Sequence, residues 1–344
     1  MPALKEGDRI SNYILQERVG AGSFGEVWRA RHHVFSDVVA IKVPTDTEYV
    51  RNLQREGVVI HGVRHPNIVR AIDMDPYAEQ PYLVMEFVDG PSLREVIDHH
   101  GRELPILSAV AIVRGLLQAL AASHDAGLVH RDIKPANILI AHPLEEMETV
   151  TDRAVKVADF GLGKIGGVTA QSIMQSGSLL TEDGKSISGT LAYMAPEVKE
   201  GHEAEGRSDL YSCGIVLFEM LTGERPQGGE VPSSLRPDVP KSLDDVFQKC
   251  YTRADRRYDS AREMLSDLNR HLPPRPPRAG AAPAPSGIGC PSCGRSVQRD
   301  DQFCISCGRQ LTERVARCSA CQGYPDPNDR YCIFCGHDLR ILAE

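Results

Sequence analysis

The chain has 344 residues, 41% hydrophobic and 25% charged; at roughly 150 residues per domain this points to about two globular domains and excludes collagen, a coiled-coil rod and disorder throughout. Its 39 Lys+Arg against 47 Asp+Glu, net charge −8, exclude a chain-wide basic excess of the kind that drives non-specific nucleic-acid binding. No run approaches the roughly 18 consecutive apolar residues of a membrane span, and charges interrupt MPALKEGDRI where a secretory signal would be apolar, so a soluble, cytoplasmic protein without a membrane span is expected.

The first 110 residues alternate short β-like runs with turn signals: DRISNYILQERVG, GEVWRARHH, VVAIKV and PYLVMEFV. That pattern predicts a small antiparallel sheet. Between the third and fourth runs, DTEYVRNLQREGVVIHGVRH predicts one helix, with Thr45 and Glu48 spaced as a capping box. From about Leu107 helices dominate, as in ILSAVAIVRGLLQALAASHDAG and SDLYSCGIVLFEMLTG, both apolar at helical spacing. A strand-rich lobe is thus followed by a helical one. Residues 273–289 are rich in Pro, Gly and Ala and read as a semi-extended linker; a polyproline II ligand for a partner groove is the alternative. Only Cys213 and Cys250 precede it, and the other eight cysteines lie between Cys290 and Cys335.

Gly20, Gly22 and Gly25 form G-x-G-x-x-G, followed by Val27. Glycines at this spacing let backbone N–H groups approach phosphates closely. A dinucleotide-binding turn shares the spacing but opens a helix, whereas EVWRARH continues as strand. VAIK at 39–42, HRDIKPAN at 130–137, DFG at 159–161 and APE at 195–197 follow in the order of a phosphoryl-transfer site. On these motifs residues 10–272 resemble the eukaryotic-type (Hanks-type) serine/threonine protein kinases. The resemblance implies an α+β, two-lobed kinase fold with a strand-rich N-lobe and a helical C-lobe. It also implies an ATP- and Mg²⁺-dependent enzyme that transfers the γ-phosphate to Ser or Thr hydroxyls of protein substrates.

Phosphoryl transfer asks little covalent chemistry of a protein; it needs an in-line nucleophile and neutralised phosphate charge. By resemblance, Lys42 contacts the α- and β-phosphates, Glu56 orients Lys42, and Asn137 and Asp159 hold magnesium. Asp132 accepts or orients the hydroxyl proton, and Lys134 neutralises the γ-phosphate. In YLVMEFVDG the resemblance makes Met85 the gatekeeper and Glu86 and Val88 the main-chain partners of the purine edge. Val19, Val27, Ala40 and Leu139 would sandwich the ring, although ordinary core packing also suits these apolar positions. Lys134, two residues after Asp132, and Thr190 in GTLAYMAPE match the serine/threonine pattern. Glu197 with Arg257, and Asp209, resemble bracing residues and carry no catalytic role.

Arg131, before Asp132, is placed to pair with a phosphorylated activation segment. That segment offers Thr169, Ser172, Ser176, Ser178, Thr181, Ser186, Ser188 and Thr190. Autophosphorylation there is expected, at residues before Thr190. Three features depart from the family pattern. Asn137 and Asp159 are 22 residues apart, and the acidic insert HPLEEMETVTDR between them is expected to form an extended surface turn. ERPQGGEVPSSLRPDVPKSL is compressed, so the helix expected there is short or absent. Gly57 and Gly62 weaken the helix carrying Glu56 at about 1 kcal/mol each, which either swings Glu56 from Lys42 or is offset by packing.

Cys290-x-x-Cys293, Cys304-x-x-Cys307, Cys318-x-x-Cys321 and Cys332-x-x-Cys335 form a duplicated unit with a period of 28. Two close thiolate pairs close a tetrahedral shell around Zn²⁺, and a unit this small needs such a staple to fold. The region resembles a double zinc ribbon, ribbon 1 at 290–307 and ribbon 2 at 318–335, holding two structural zinc ions. Disulfides are the alternative, disfavoured in a reducing cytosol. Residues 287–344 carry seven Arg and no Lys against seven Asp+Glu, which disfavours nucleic acid as the partner. Phe303, Tyr331 and Phe334 supply either a small core or a protein-contact face, and protein recruitment is the preferred role. The competing function for the whole chain is a pseudokinase scaffold acting through the ribbons, but no recognised catalytic position is degraded.

Overall fold

A computed structural model of the chain describes residues 4–22, 25–35, 37–44, 62–160 and 191–271, with Val50, Leu53 and, in the tail, 288–289, 291, 296–297, 310–311, 318 and 320. It divides into two compact units, Met1–Pro274 and Arg275–Glu344. The first unit opens with strands β1 (Arg9–Ile10), β2 (Tyr13–Gly22), β3 (Gly25–His32), β4 (Val38–Val43), β5 (Ala71–Asp75) and β6 (Tyr82–Glu86). They form one antiparallel sheet in the order β1-β2-β3-β4-β6-β5. Of the four β-like runs of the sequence, the first holds β1 and most of β2, and the others correspond to β3, β4 and β6. The edge strand β5, AIDMD, has no apolar run, because two of its residues are exposed and only Ala71 is buried.

Alternation along the strands splits the sheet between two cores. Val39, Ile41, Val43, Trp28, Ala30, Tyr82 and Val84 pack together on one face. Ala40, Leu83, Met85 and Ala71 face the larger core, which continues into the helices. Val50, Leu53 and Gly62 are helical, and Leu53 is buried in that core. Thr45, Glu48 and Gly57, and with them the proposed cap, lie outside the described residues.

Helix α1 (Leu93–His100) starts at a capping box in which Ser92 receives the Glu95 amide N–H while the Glu95 carboxylate receives that of Ser92. Helix α2 (Ile106–Asp125) is long and apolar enough to cross a membrane, but its most apolar window is 78% buried within the fold. It is the central helix of this lobe. Strands β7 (Ile138–Ile140) and β8 (Val155–Val157) pair antiparallel. Helices α3 (Pro196–Lys199), α4 (Gly206–Thr222), α5 (Pro232–Leu235), α6 (Lys241–Cys250) and α7 (Ala261–His271) complete the lobe. In the compressed stretch after α4, where a short or absent helix is expected, the four-residue α5 precedes the start of α6.

The acidic insert differs from the expected surface turn. It forms two 3₁₀ segments, Leu144–Thr149 and Asp152–Ala154, and buries Met147 and Val150. Ser108 Oγ donates to the Met147 carbonyl at 2.6 Å, and Asn67 Nδ2 donates to the Asp152 and Val155 carbonyls at 2.6 and 2.9 Å. The apolar members, spaced three apart, are hidden in the sequence by the surrounding carboxylates. Gly115 of α2 admits this packing: an added Cβ would lie 2.5 Å from the Asp152 carbonyl oxygen and 2.6 Å from Val155 Cβ. Alanine in a helix interior ordinarily gains about 1 kcal/mol over glycine; Gly115→Ala is expected to lose about 1–3 kcal/mol instead, by overpacking. Chemical denaturation checks this, and a stabilised variant would refute it.

In the second unit Ile288–Gly289 pairs antiparallel with Ser296–Val297, and Cys318 is buried. The other seven cysteines of the tail lie outside the described residues.

Candidate active site

The end of β2 and the start of β3 carry the glycine triad. Gly20 pairs with Val27 and Gly22 with Gly25 across the hairpin. Gly25 has φ +153°, and a Cβ there would lie 2.3 Å from the Val43 carbonyl oxygen, so no side chain fits. Register sets Val27 beside Lys42, and Arg29 beside Ala40. Because side chains alternate, Ala40 and Lys42 leave the first core to Val39, Ile41 and Val43 and turn to the opposite face. Ala40 and Met85 are buried, and Val27, Val88 and Leu139 are partly buried against the same core. Val19 stands apart, 48% exposed.

Lys42 is buried, and its Nζ lies 2.8 Å from Asp159 Oδ1, a residue 117 positions later. Burial alone would raise the Asp159 carboxyl, but the Lys42 charge and hydrogen bond, with the Lys134 charge, hold it below the ordinary carboxylate value. Asp159 sits at φ 63°, a left-handed conformation that asks for outside support. Glu56 lies outside the described residues, as does the segment 161–190 with its Ser and Thr residues.

The HRD stretch is held from α4. Buried Asp209 accepts the His130 and Arg131 amide N–H groups, each at 2.8 Å, and His124 Nε2 at 2.8 Å. Arg131 has φ 71°, so its amide bond to Asp209 fastens a strained position. His130 Nε2 donates to the Ala158 carbonyl at 3.0 Å, and its Nδ1 accepts the Asp132 N–H at 3.3 Å. A carbonyl only accepts, so these bonds require the neutral ring with the proton on Nε2. The His130 ring also packs on Phe160 at 4.5 Å. One histidine thereby joins the catalytic loop to the residues flanking Asp159.

Asp132 Oδ2 receives Lys134 Nζ at 2.8 Å and Asn137 Nδ2 at 3.0 Å. Asn137 Nδ2 also donates to the Asp132 carbonyl at 2.8 Å, which turns its amide oxygen away from Asp132. Among the described residues no donor falls on Asp132 Oδ1. Two hard oxygen donors, the Asp159 carboxylate and the Asn137 amide oxygen, suit magnesium.

Glu197 and Arg257 form a two-pronged pair at 2.6 and 2.8 Å, with the Arg257 side chain fully buried. Ser208 Oγ adds a bond to Glu197 at 2.9 Å. Burial would raise the Glu197 carboxyl, yet these bonds hold it low. The bracing assigned to Glu197, Arg257 and Asp209 from sequence is therefore realised. Sequence reasoning does not single out His124 or Lys156. His124 precedes His130 by six residues, but only α4 supplies the carboxylate that gives it a role. Lys156 lies three residues before Asp159, where it reads as one more polar strand residue.

A family model described as a protein kinase domain matches residues 13–275, and one described as a double zinc ribbon matches residues 290–336. The chain is 36% identical over 283 residues to the serine/threonine-protein kinase PknB of Mycolicibacterium smegmatis, covering 75% of this chain and 42% of that protein. It is 36% identical over 292 residues to the PknB of Mycobacterium tuberculosis, covering 78% and 44%. The chain thus spans less than half the length of these curated relatives. The crystal structure of the Mycobacterium tuberculosis PknI kinase domain superposes with a TM-score of 0.58 at 26% identity, covering 78% of this chain and 99% of that one.

Proposed function

The chain belongs to the protein kinase family, and from that premise we propose that it transfers the γ-phosphate of ATP to Ser and Thr hydroxyls of proteins. The observation that carries this reading is the convergence of Lys42, Asp132, Lys134, Asn137 and Asp159, drawn from three motifs, into adjoining hydrogen-bonded pairs. Lys42 and Lys134 supply cations for phosphate oxygens that gain charge as the transfer proceeds. Asp132, held through Oδ2, presents Oδ1 to the acceptor hydroxyl and orients or takes its proton. Magnesium, when bound, neutralises phosphate charge, and Asp159 with Asn137 would hold it. The apolar walls from Val27, Ala40, Val88 and Leu139 suit a flat purine, with the Glu86 and Val88 main chains at its edge. Val19, exposed, joins them as a roof only over a bound ring.

Incubation of purified protein with Mg-ATP, alone and with a generic Ser/Thr acceptor, tests the reading. Phosphate incorporation on Ser and Thr supports it, and none from folded, zinc-loaded protein, even after treatment with an activating kinase, removes it. Part of the incorporation is proposed to fall on the chain's own segment between Asp159 and Glu197. A scaffold without catalysis has no observation in its favour, since each catalytic side chain that is described is present and placed.

We read the tail as two structural zinc shells that serve protein recruitment, in a cytoplasm reducing enough to keep eight thiolates available. The sequence donors are all sulfur, buried Cys318 fits a ligand held from water, and the strands 288–289 and 296–297 bracket the first Cys-x-x-Cys. Metal analysis of the full chain is expected to give about two zinc ions per molecule, lost with unfolding of the tail on chelation. Zinc-free protein with four disulfides would overturn this.

A further inference from the structure

Glu86, the last residue of β6, is tied to the rest of the fold through its side chain as well as its backbone. Its Oε1 receives Lys156 Nζ at 2.7 Å and the Arg70 amide N–H at 3.0 Å. The Glu86 N–H in turn donates to the Arg70 carbonyl at 2.9 Å. Both side chains of the ion pair are mostly covered, 21% exposed at Lys156 and 25% at Glu86.

Lys156 is the middle residue of β8, where it pairs with Leu139 of β7. Val157, next along β8, donates to the Asn67 carbonyl at 2.8 Å and accepts the Val69 N–H at 2.9 Å. The connections run from β8 to 67–69, on to Arg70 and then Glu86, and the Lys156–Glu86 pair closes them into a ring. Among the described residues, that last link alone runs directly from β8 to the hinge, residues 86–88. Half-buried His65 stands close enough to feel the Lys156 charge; burial first and that charge second lower its pKa.

We propose that Lys156 is a positioning residue for the nucleotide: its pair with Glu86 sets the hinge backbone at the purine edge against Leu139 below the ring and Asp159 at the metal. This rests on the kinase reading above, because Glu86 matters to ATP only as the purine's main-chain partner. The pair acts on nucleotide binding, since no atom of Lys156 or of the Glu86 side chain belongs to the transfer itself.

Steady-state kinetics on the full chain test it, with ATP and a peptide acceptor varied separately. Lys156→Met is expected to raise the KM for ATP about two- to fivefold, the upper part of the range of a single ion pair. The peptide KM should stay in place and kcat should fall less than about twofold. Lys156→Arg, able to reach the same carboxylate, should restore the ATP KM, which loss of packing alone would not predict. Should the methionine variant fail to fold, Glu86→Gln, nearly isosteric, is expected to move the ATP KM in the same direction. An ATP KM within about 1.5-fold of wild type in folded variants, or no rescue by arginine, overturns the proposal and leaves the kinase reading standing. Absence of transfer by the wild type removes the kinase reading and the proposal together.

Discussion

Asp132→Asn is expected to lower phosphate incorporation about 10²- to 10⁴-fold, the scale on which a positioned general base contributes. The substitution keeps the volume and an acceptor oxygen for Lys134 Nζ and Asn137 Nδ2, which lie 2.8 and 3.0 Å from Oδ2. It removes the charge and the oxygen able to receive a proton. Fold, melting temperature and nucleotide affinity should therefore stay close to wild type while the rate collapses. Lys42→Met beside it should reduce both rate and ATP affinity, since Lys42 is buried against Asp159 and is proposed to touch phosphate. A single-turnover assay separates the two. Undiminished turnover in Asp132→Asn would refute the assignment of the base.

Asp209→Ala is expected to have the largest effect on stability, about 3–5 kcal/mol. Asp209 is 1% exposed, and its removal leaves the His130 and Arg131 amides and His124 Nε2 without their acceptor. Each orphaned buried donor costs about 1–3 kcal/mol, reduced where water enters the space. At about 2–4 °C per kcal/mol for a domain of this size, the melting temperature should drop by roughly 6–20 °C. Activity should suffer beyond the loss of folded protein. Arg131 sits at φ 71°, and freed from Asp209 it relaxes and carries Asp132 out of line. Asp209→Asn retains one acceptor and should lie between the two. A variant that melts like wild type, or that keeps full activity per folded molecule, would show that the loop is held by other means.

Much of the site is legible in the sequence, for a chemical reason. Lys42, Asp132, Lys134, Asn137 and Asp159 carry the groups that phosphoryl transfer requires, and their order along the chain is a property of sequence alone. Alternation along VVAIKV is legible too, because a period of two is local: Val39, Ile41 and Val43 belong to one face, and Ala40 and Lys42 to the other. Helices α2 and α4 announce themselves by apolar spacing. The edge strand β5 does not, because one charged and half-exposed face erases the apolar signal.

Tertiary structure decided what depends on distance between residues far apart in the chain. The Lys42–Asp159 contact spans 117 positions, Glu86–Lys156 spans 70, and Arg131–Asp209 spans 78. The burial of Met147 and Val150 on α2, and the fit of Gly115 beneath Asp152, likewise arise only when the insert meets the helix. Side-chain chemistry and short periodicities are local properties, so they survive in the string of residues. Hydrogen bonds, ion pairs and steric fit act over about 3–4 Å in space, and that proximity exists only after the chain has folded.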